Sequence, residues 1–134
     1  MSALTIGKVA QQAGVGVETV RFYIREGLIP QSPRRGFGFR NYPPETVARL
    51  RFIQRAKRLG FSLKETRELL ELRVSQQVTC ADVRGHAQAK IADIEERIRD
   101  LQRMRRALRA LVEACQSSGP VSECPILDHL DPSE

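Results

Sequence analysis

Residues 5–25 read Thr5-Ile6-Gly7-Lys8-Val9-Ala10-Gln11-Gln12-Ala13-Gly14-Val15-Gly16-Val17-Glu18-Thr19-Val20-Arg21-Phe22-Tyr23-Ile24-Arg25, and this stretch decides the fold. Thr5 is an N-cap residue, because a hydroxyl at that place accepts from one of the amides a helix start leaves unpaired. The helix it opens runs to about Gln12. Ala13-Gly14-Val15-Gly16 makes a tight turn, and helical character resumes from Val17 to about Arg25. Ile6, Val9, Ala10, Val15, Val20 and Ile24 place one small core between the two segments, the requirement of a helix-turn-helix. Gly27-Leu28-Ile29-Pro30 ends the second helix.

Downstream, Gln31 to Tyr42 changes to Pro, Gly, aromatic and Arg, as in Arg34-Arg35-Gly36-Phe37-Gly38-Phe39-Arg40-Asn41-Tyr42, and reads as a short β-hairpin or wing. Pro43-Pro44-Glu45 starts a helix through Arg58 with Val47, Leu50, Phe52, Ile53 and Ala56 on its apolar face. Leu59-Gly60-Phe61-Ser62 breaks it. Ser62 with Glu65 fits a capping box and predicts a helix from about Leu63 to Leu72, giving a second helix-turn-helix-like pair.

The most regular pattern comes last. Ala87, Ile91, Ile94, Ile98, Leu101, Met104, Leu108, Leu111 and Cys115 recur with a mean step of 3.5, the period of a coiled coil. A helix from about Ala81 to Ala114 would be roughly 50 Å long at about 1.5 Å per residue, more than a small monomeric domain buries. Pairing with a second copy is the natural solution. A loop, Gln116 to Glu123, and a brief helix, Pro125 to Leu130, follow. The domain reading is a winged helix-turn-helix over residues 1–74, a dimerisation helix over 75–115, and a loop with a short helix over 116–134.

Charge divides the same way. Residues 1–74 carry 14 Lys and Arg against 6 Asp and Glu, while residues 75–134 carry 8 against 10, so the N-terminal half is the candidate nucleic-acid half. No run approaches a membrane span, and the first residues have neither a basic nor an apolar leader region, so a cytoplasmic protein with no membrane partner is expected. No phosphate-binding glycine loop, nucleophile elbow or paired-histidine motif is present, and an enzyme is not expected.

On the second helix Glu18, Thr19, Arg21, Tyr23 and Arg25 offer long donors and a phenol to a major groove, while Phe22 is read as core. The wing adds Arg34, Arg35, Arg40 and Tyr42, suited to flanking backbone or minor groove; for Tyr42, core packing with the hydroxyl outside is an equal alternative. Three cysteines, an odd number, suit a disulfide framework poorly. Cys80 stands before the long helix, and Cys115 and Cys124 flank the loop after it. The ends of one straight helix cannot meet, so the three converge only across an antiparallel dimer, with Cys80 from one subunit and Cys115 and Cys124 from the other. Three thiolates suit thiophilic ions such as mercury, lead and cadmium, whereas structural zinc takes four ligands. The competing reading of a single cysteine is a small buried apolar residue. His86 and His129 are not counted as ligands.

Thr5-Ile6-Gly7 to Ala13-Gly14-Val15, Glu18-Thr19-Val20-Arg21-Phe22-Tyr23, Glu26-Gly27-Leu28-Ile29, Phe39-Arg40-Asn41-Tyr42 and Arg58-Leu59-Gly60-Phe61-Ser62-Leu63 together resemble the DNA-binding domain of the MerR family of transcription regulators. The resemblance covers nearly the whole chain. Within the family, Cys115 to Cys124-Pro125-Ile126-Leu127 is similar to mercury-responsive and lead-responsive members. The family implies a mainly α fold, with a winged helix-turn-helix followed by a long antiparallel coiled-coil dimerisation helix and a metal-binding loop. It also implies a homodimer on double-stranded promoter DNA that represses without metal. With metal, the dimer bends and untwists the DNA so that RNA polymerase can start, which is readout by deformation. Positions matching the family's DNA contacts are Thr19, Arg21, Tyr23, Arg40 and Tyr42; those matching its metal ligands are Cys80, Cys115 and Cys124.

Departures narrow the metal. Copper-type members carry serine where Cys80 stands, zinc-type members add an adjacent cysteine and a loop histidine, iron–sulfur members need four cysteines, and drug-binding members add a large C-terminal domain. Gly60-Phe61-Ser62 and Cys124-Pro125 favour Hg(II) as effector, with Pb(II) and Cd(II) as alternatives. Two other classes compete: a thiol-based metal-sequestering coiled-coil protein, which predicts no specific promoter binding, and a metal-independent architectural protein, which predicts indifference to Cys80→Ser.

Overall fold

The computed structural model describes residues 4–32, 34–35, 39–115 and 119–132, with the side chains of residues 34, 35, 39 and 40 excepted. Two compact units divide the chain, Met1–Val83 and Arg84–Glu134.

In the first unit α1 (Ile6–Ala13) and α2 (Val17–Arg25) form the expected helix-turn-helix. Thr5 Oγ1 accepts from Lys8 N at 3.3 Å, and Gly14, at φ 76°, closes α1 in the left-handed region where a β-carbon is penalised. Val9, Ala10 and Val20 are buried in the core between them, and Ile6, Val15 and Ile24 pack on its margin.

The wing is a hairpin of β1 (Arg34–Arg35) and β2 (Phe39–Arg40), antiparallel with Arg34 opposite Arg40 and Arg35 opposite Phe39. α3 (Glu45–Arg58) buries Thr46, Val47, Leu50, Ile53 and Ala56. Phe52, expected on that face, is only half-buried; it packs at the core margin under the Arg73 guanidinium, 5.0 Å from its ring centroid.

α4 (Leu63–Val74) begins in the predicted capping box, with Glu65 N donating to Ser62 Oγ at 3.1 Å and Ser62 N to Glu65 Oε1 at 2.7 Å. It runs two residues past the expected Leu72, to Val74. Leu28 and Ile29, just past the end of α2, are among the most deeply buried side chains. Gly27 makes this possible. Its φ of 79° turns the chain back so that Leu28 N and Ile29 N both donate to Tyr23 O, carrying the two side chains inward.

α5 spans Cys80–Ala114, so Cys80 is its first residue and does not precede it. The early start has a local cause: Thr79 N donates to Asp82 Oδ2 at 2.9 Å and Asp82 N to Thr79 O at 3.0 Å, a cap centred on Thr79. No described residue of α5 is buried. Ile91, Ile94, Ile98, Leu101, Met104 and Leu108 are each between 41 and 57% exposed.

Beyond α5, the segment expected as loop to Glu123 contains a 3-10 turn at Val121–Glu123, while residues 116–118 of that loop lie outside the described residues. α6 (Pro125–Leu130) follows, with proline at its first position, where the missing N–H costs nothing. Among the described residues no helix is long and apolar enough to cross a membrane.

Candidate nucleic-acid interface and metal centre

α2 sits on the core through Val20 and Tyr23, one turn apart, which turns Glu18, Arg21 and Arg25 outward and leaves Thr19 half-buried. Arg21 Nη1 donates to Glu18 Oε1 at 3.3 Å with both side chains more than half exposed. Such a pair is worth about 0–1 kcal/mol, so the guanidinium can exchange Glu18 for a phosphate or base edge at little cost. The Arg25 guanidinium lies 5.9 Å from the Phe22 ring centroid.

Both aromatic residues of α2 pack on the core, Tyr23 more deeply than Phe22. Tyr23, expected to present its phenol to DNA, is only 6% exposed, and Phe22, expected in the core, is half-buried at its edge. The helical period explains the difference in depth: the core-facing stripe through Val20 continues at Tyr23 and misses Phe22 by about 100°. Burial pushes the Tyr23 phenol above its ordinary pKa of 10.0.

Tyr42 is likewise core, at 2% exposure. Its backbone bridges Leu4, with N–H to O distances of 2.8 and 2.7 Å, and its hydroxyl donates to Gln31 Oε1 at 2.7 Å. Ser32 Oγ donates to Asn41 O beside it. Of the alternatives open for Tyr42, the packed one is found, and the residue fastens the base of the wing. Arg40 takes its place in β2 through its backbone; its side chain, with those of Arg34 and Arg35, lies outside the described residues.

Three arginines that sequence reading counted only as basic surface brace the fold. Arg49 Nε donates to Leu28 O at 2.5 Å, Arg51 Nη2 to Gln12 O at 2.8 Å, and Arg67 Nη2 to Glu26 O. Gln12 and Glu26 lie at the C-terminal ends of α1 and α2, where unpaired carbonyls and the helix dipole attract cations. Their partners are 39 and 41 residues away, so no local spacing announces them.

The cysteines form no disulfide; Cys80 is exposed, and Cys115 and Cys124 are half-buried. Cys115 follows the last residue of α5, its N–H donating to Leu111 O and Val112 O, and Cys124 stands between the 3-10 turn and α6. Among the described residues of the single chain no three His, Cys, Asp or Glu side chains converge as a metal site.

A helix-turn-helix flanked by a hairpin wing, with a basic outer face on its second helix, defines a winged helix-turn-helix DNA-binding protein. A model of the MerR HTH family regulatory proteins matches residues 4–72, and one described as MerR, DNA binding, matches residues 47–111. The mercuric resistance operon regulatory protein of Bacillus cereus is 42% identical over 93% of this chain and 95% of its own. Among solved structures, a transcription regulator from Ralstonia metallidurans in complex with lead(II) matches with a TM-score of 0.84 and 35% identity over 96% of this chain and 99% of its own. The MerR regulator of Bacillus megaterium in complex with mercury(II) matches with a TM-score of 0.68 and 38% identity over 95 and 98%. The chain belongs to the MerR family of helix-turn-helix regulatory proteins.

Proposed function

We propose that this chain is a metal-responsive transcription regulator of a mercury-resistance operon. It acts in the cytoplasm as a homodimer on double-stranded promoter DNA, repressing without metal and activating RNA polymerase with Hg(II) bound. The observation that carries the reading is the placement of thiols around one element. Cys80 opens the 35-residue α5 and Cys115 and Cys124 follow its end, while the apolar stripe between them is open to solvent.

At about 1.5 Å per residue the two ends of such a helix stand roughly 50 Å apart, so thiols from both ends share one ion only if a second copy runs antiparallel beside the first. That pairing covers the stripe of Ile91, Ile94, Ile98, Leu101, Met104 and Leu108 and brings Cys80 of one subunit to Cys115 and Cys124 of the other. The donor set fits a thiophilic cation, since three sulfurs with no histidine among them favour a soft ion over zinc. Cys80, Cys115 and Cys124 would hold Hg(II), which would supply a soft, thiophilic Lewis acid there. The chain's own residues do the rest: Arg21 and Thr19 on α2 and Arg40 in the wing meet the DNA, and the fastened wing base and carbonyl braces hold those elements in place. Lead is the second reading, favoured by the fold match to a lead(II)-bound regulator.

The test is transcription from the cognate promoter in vitro, titrated separately with mercury, lead, cadmium, zinc and copper, beside Cys80→Ser, Cys115→Ser and Cys124→Ser. Activation by mercury at the lowest concentration, lost in all three variants, is the expected outcome. Activation by lead or cadmium first would move the effector and leave the ligands standing; indifference to every metal would remove the sensor reading.

A further inference from the structure

The braces on α1 and α2 differ in what they join. Arg49 and Arg51 come from α3, in the middle of the first unit. Arg67 comes from α4, whose last residue, Val74, lies six positions before Cys80. Its half-buried side chain reaches the carbonyl of Glu26, the C-cap residue of the recognition helix. Glu26 N is already used inside the helix, donating to Phe22 O at 2.9 Å, so its C=O is the group left for an outside donor. A guanidinium there satisfies an orphan carbonyl and neutralises the negative end of the α2 dipole. Six residues further along, Arg73 on α4 lies over Phe52 of α3, holding the same helix at a second point.

We propose that Arg67 is a positioning residue for DNA recognition: its bond to Glu26 O fixes α2 to α4, so the recognition helix turns with the helix that leads to Cys80. The consequence for regulation rests on the metal-responsive reading above; the consequence for DNA binding does not. Without the bond, the C-terminal end of α2 keeps the Arg49–Leu28 brace and its core packing but rotates more freely against α4. Arg67 thereby acts without touching DNA. This separates it from Arg21, whose guanidinium faces outward.

The experiment compares wild type, Arg67→Met, which keeps the aliphatic stem, and Arg67→Lys, which restores one cationic donor. Three quantities are read: operator affinity across a salt series, the ratio of mercury-activated to basal transcription, and the ultraviolet thiolate-to-mercury absorption that reports metal binding. Thermal unfolding of each variant confirms that it is folded. For Arg67→Met we expect affinity about three- to tenfold lower at every salt concentration with an unchanged salt slope, since no phosphate contact is lost. The activation ratio falls at least twofold while mercury absorption stays at the wild-type value, and Arg67→Lys recovers part of both losses.

A salt slope shallower by about one in Arg67→Met would make Arg67 a phosphate contact and overturn the proposal. A lower melting temperature with affinity and activation ratio both unchanged would reduce the bond to fold stability, and would overturn it equally. If wild-type protein itself ignores every metal, the regulatory reading fails, while the affinity and salt-slope comparison still decides whether Arg67 positions α2.

Discussion

Tyr42 donates its hydroxyl to Gln31 Oε1 at 2.7 Å across the base of the wing, from a ring that is almost wholly inside the protein. The bond joins the two chain segments that enter and leave the hairpin, in which two residues of each strand are paired among those described. So short a ladder is marginal by itself, and its geometry depends on what holds its ends. Tyr42→Phe keeps the packed ring and removes the hydroxyl. We expect a loss of about 1 kcal/mol of stability, the ordinary net worth of one hydrogen bond, and a melting temperature lower by roughly 3 °C. DNA affinity should fall modestly with no change in salt slope. Calorimetry and a salt series measure both, and a slope change would mean that the hydroxyl leaves Gln31 to reach DNA.

Much of this was legible in the sequence, and the division between what was and was not follows interaction range. Thr5, the capping box of Ser62 and Glu65, and the hairpin between Gln31 and Tyr42 are announced by residues within a few positions of one another, and local chemistry places them. The 3.5-residue stripe of α5 is equally local in origin. The errors lie where tertiary contact decides. How deeply Phe22 and Tyr23 each sit depends on the angle at which α2 meets α1 and α3, and a window holding both aromatics fits either order. The role of Leu28 and Ile29 follows from the positive φ of Gly27, and the arginine braces bind carbonyls some 20 to 40 residues away. The three cysteines stand apart from these cases. Their chemistry is readable from type and spacing, but among the described residues of one chain they do not converge, and the site proposed for them needs a second copy.

The open stripe of α5 gives a prediction about that pair. Ile91, Ile94, Ile98, Leu101, Met104 and Leu108 each leave about half their surface in water, and covering that half is worth roughly 1 kcal/mol per residue. Leu101 lies near the middle of the stripe. In an antiparallel pair a glutamate there is buried close to its own symmetry mate, where desolvation and like-charge repulsion add. Leu101→Glu is expected to be monomeric by sedimentation equilibrium at concentrations where the wild type is dimeric, and to bind a full operator at least a hundredfold more weakly. Glu96→Lys, on the side of the helix away from the stripe, serves as the control and should remain dimeric. A dimeric Leu101→Glu would place the subunit contact elsewhere.

Tyr23 allows the core and contact readings of the recognition helix to be separated by pH. Its phenol is raised above 10.0 by burial, so the unfolded chain releases this proton at a lower pH than the folded one. Below pH 10 both states hold the proton and ionisation contributes nothing to the difference between them. As pH rises from 10.0 toward the raised folded value, the unfolded state binds fewer protons than the native state, so stability falls with pH. Tyr23→Phe has no such group. The wild type should therefore lose stability more steeply than Tyr23→Phe between about pH 10 and 11, and the two denaturation curves should run parallel from pH 7 to 9. At neutral pH a core role also predicts operator affinity for Tyr23→Phe within about twofold of wild type. A tenfold loss, together with parallel stability curves up to pH 11, would show instead that the hydroxyl is solvated in the free protein and spends its hydrogen bond on DNA.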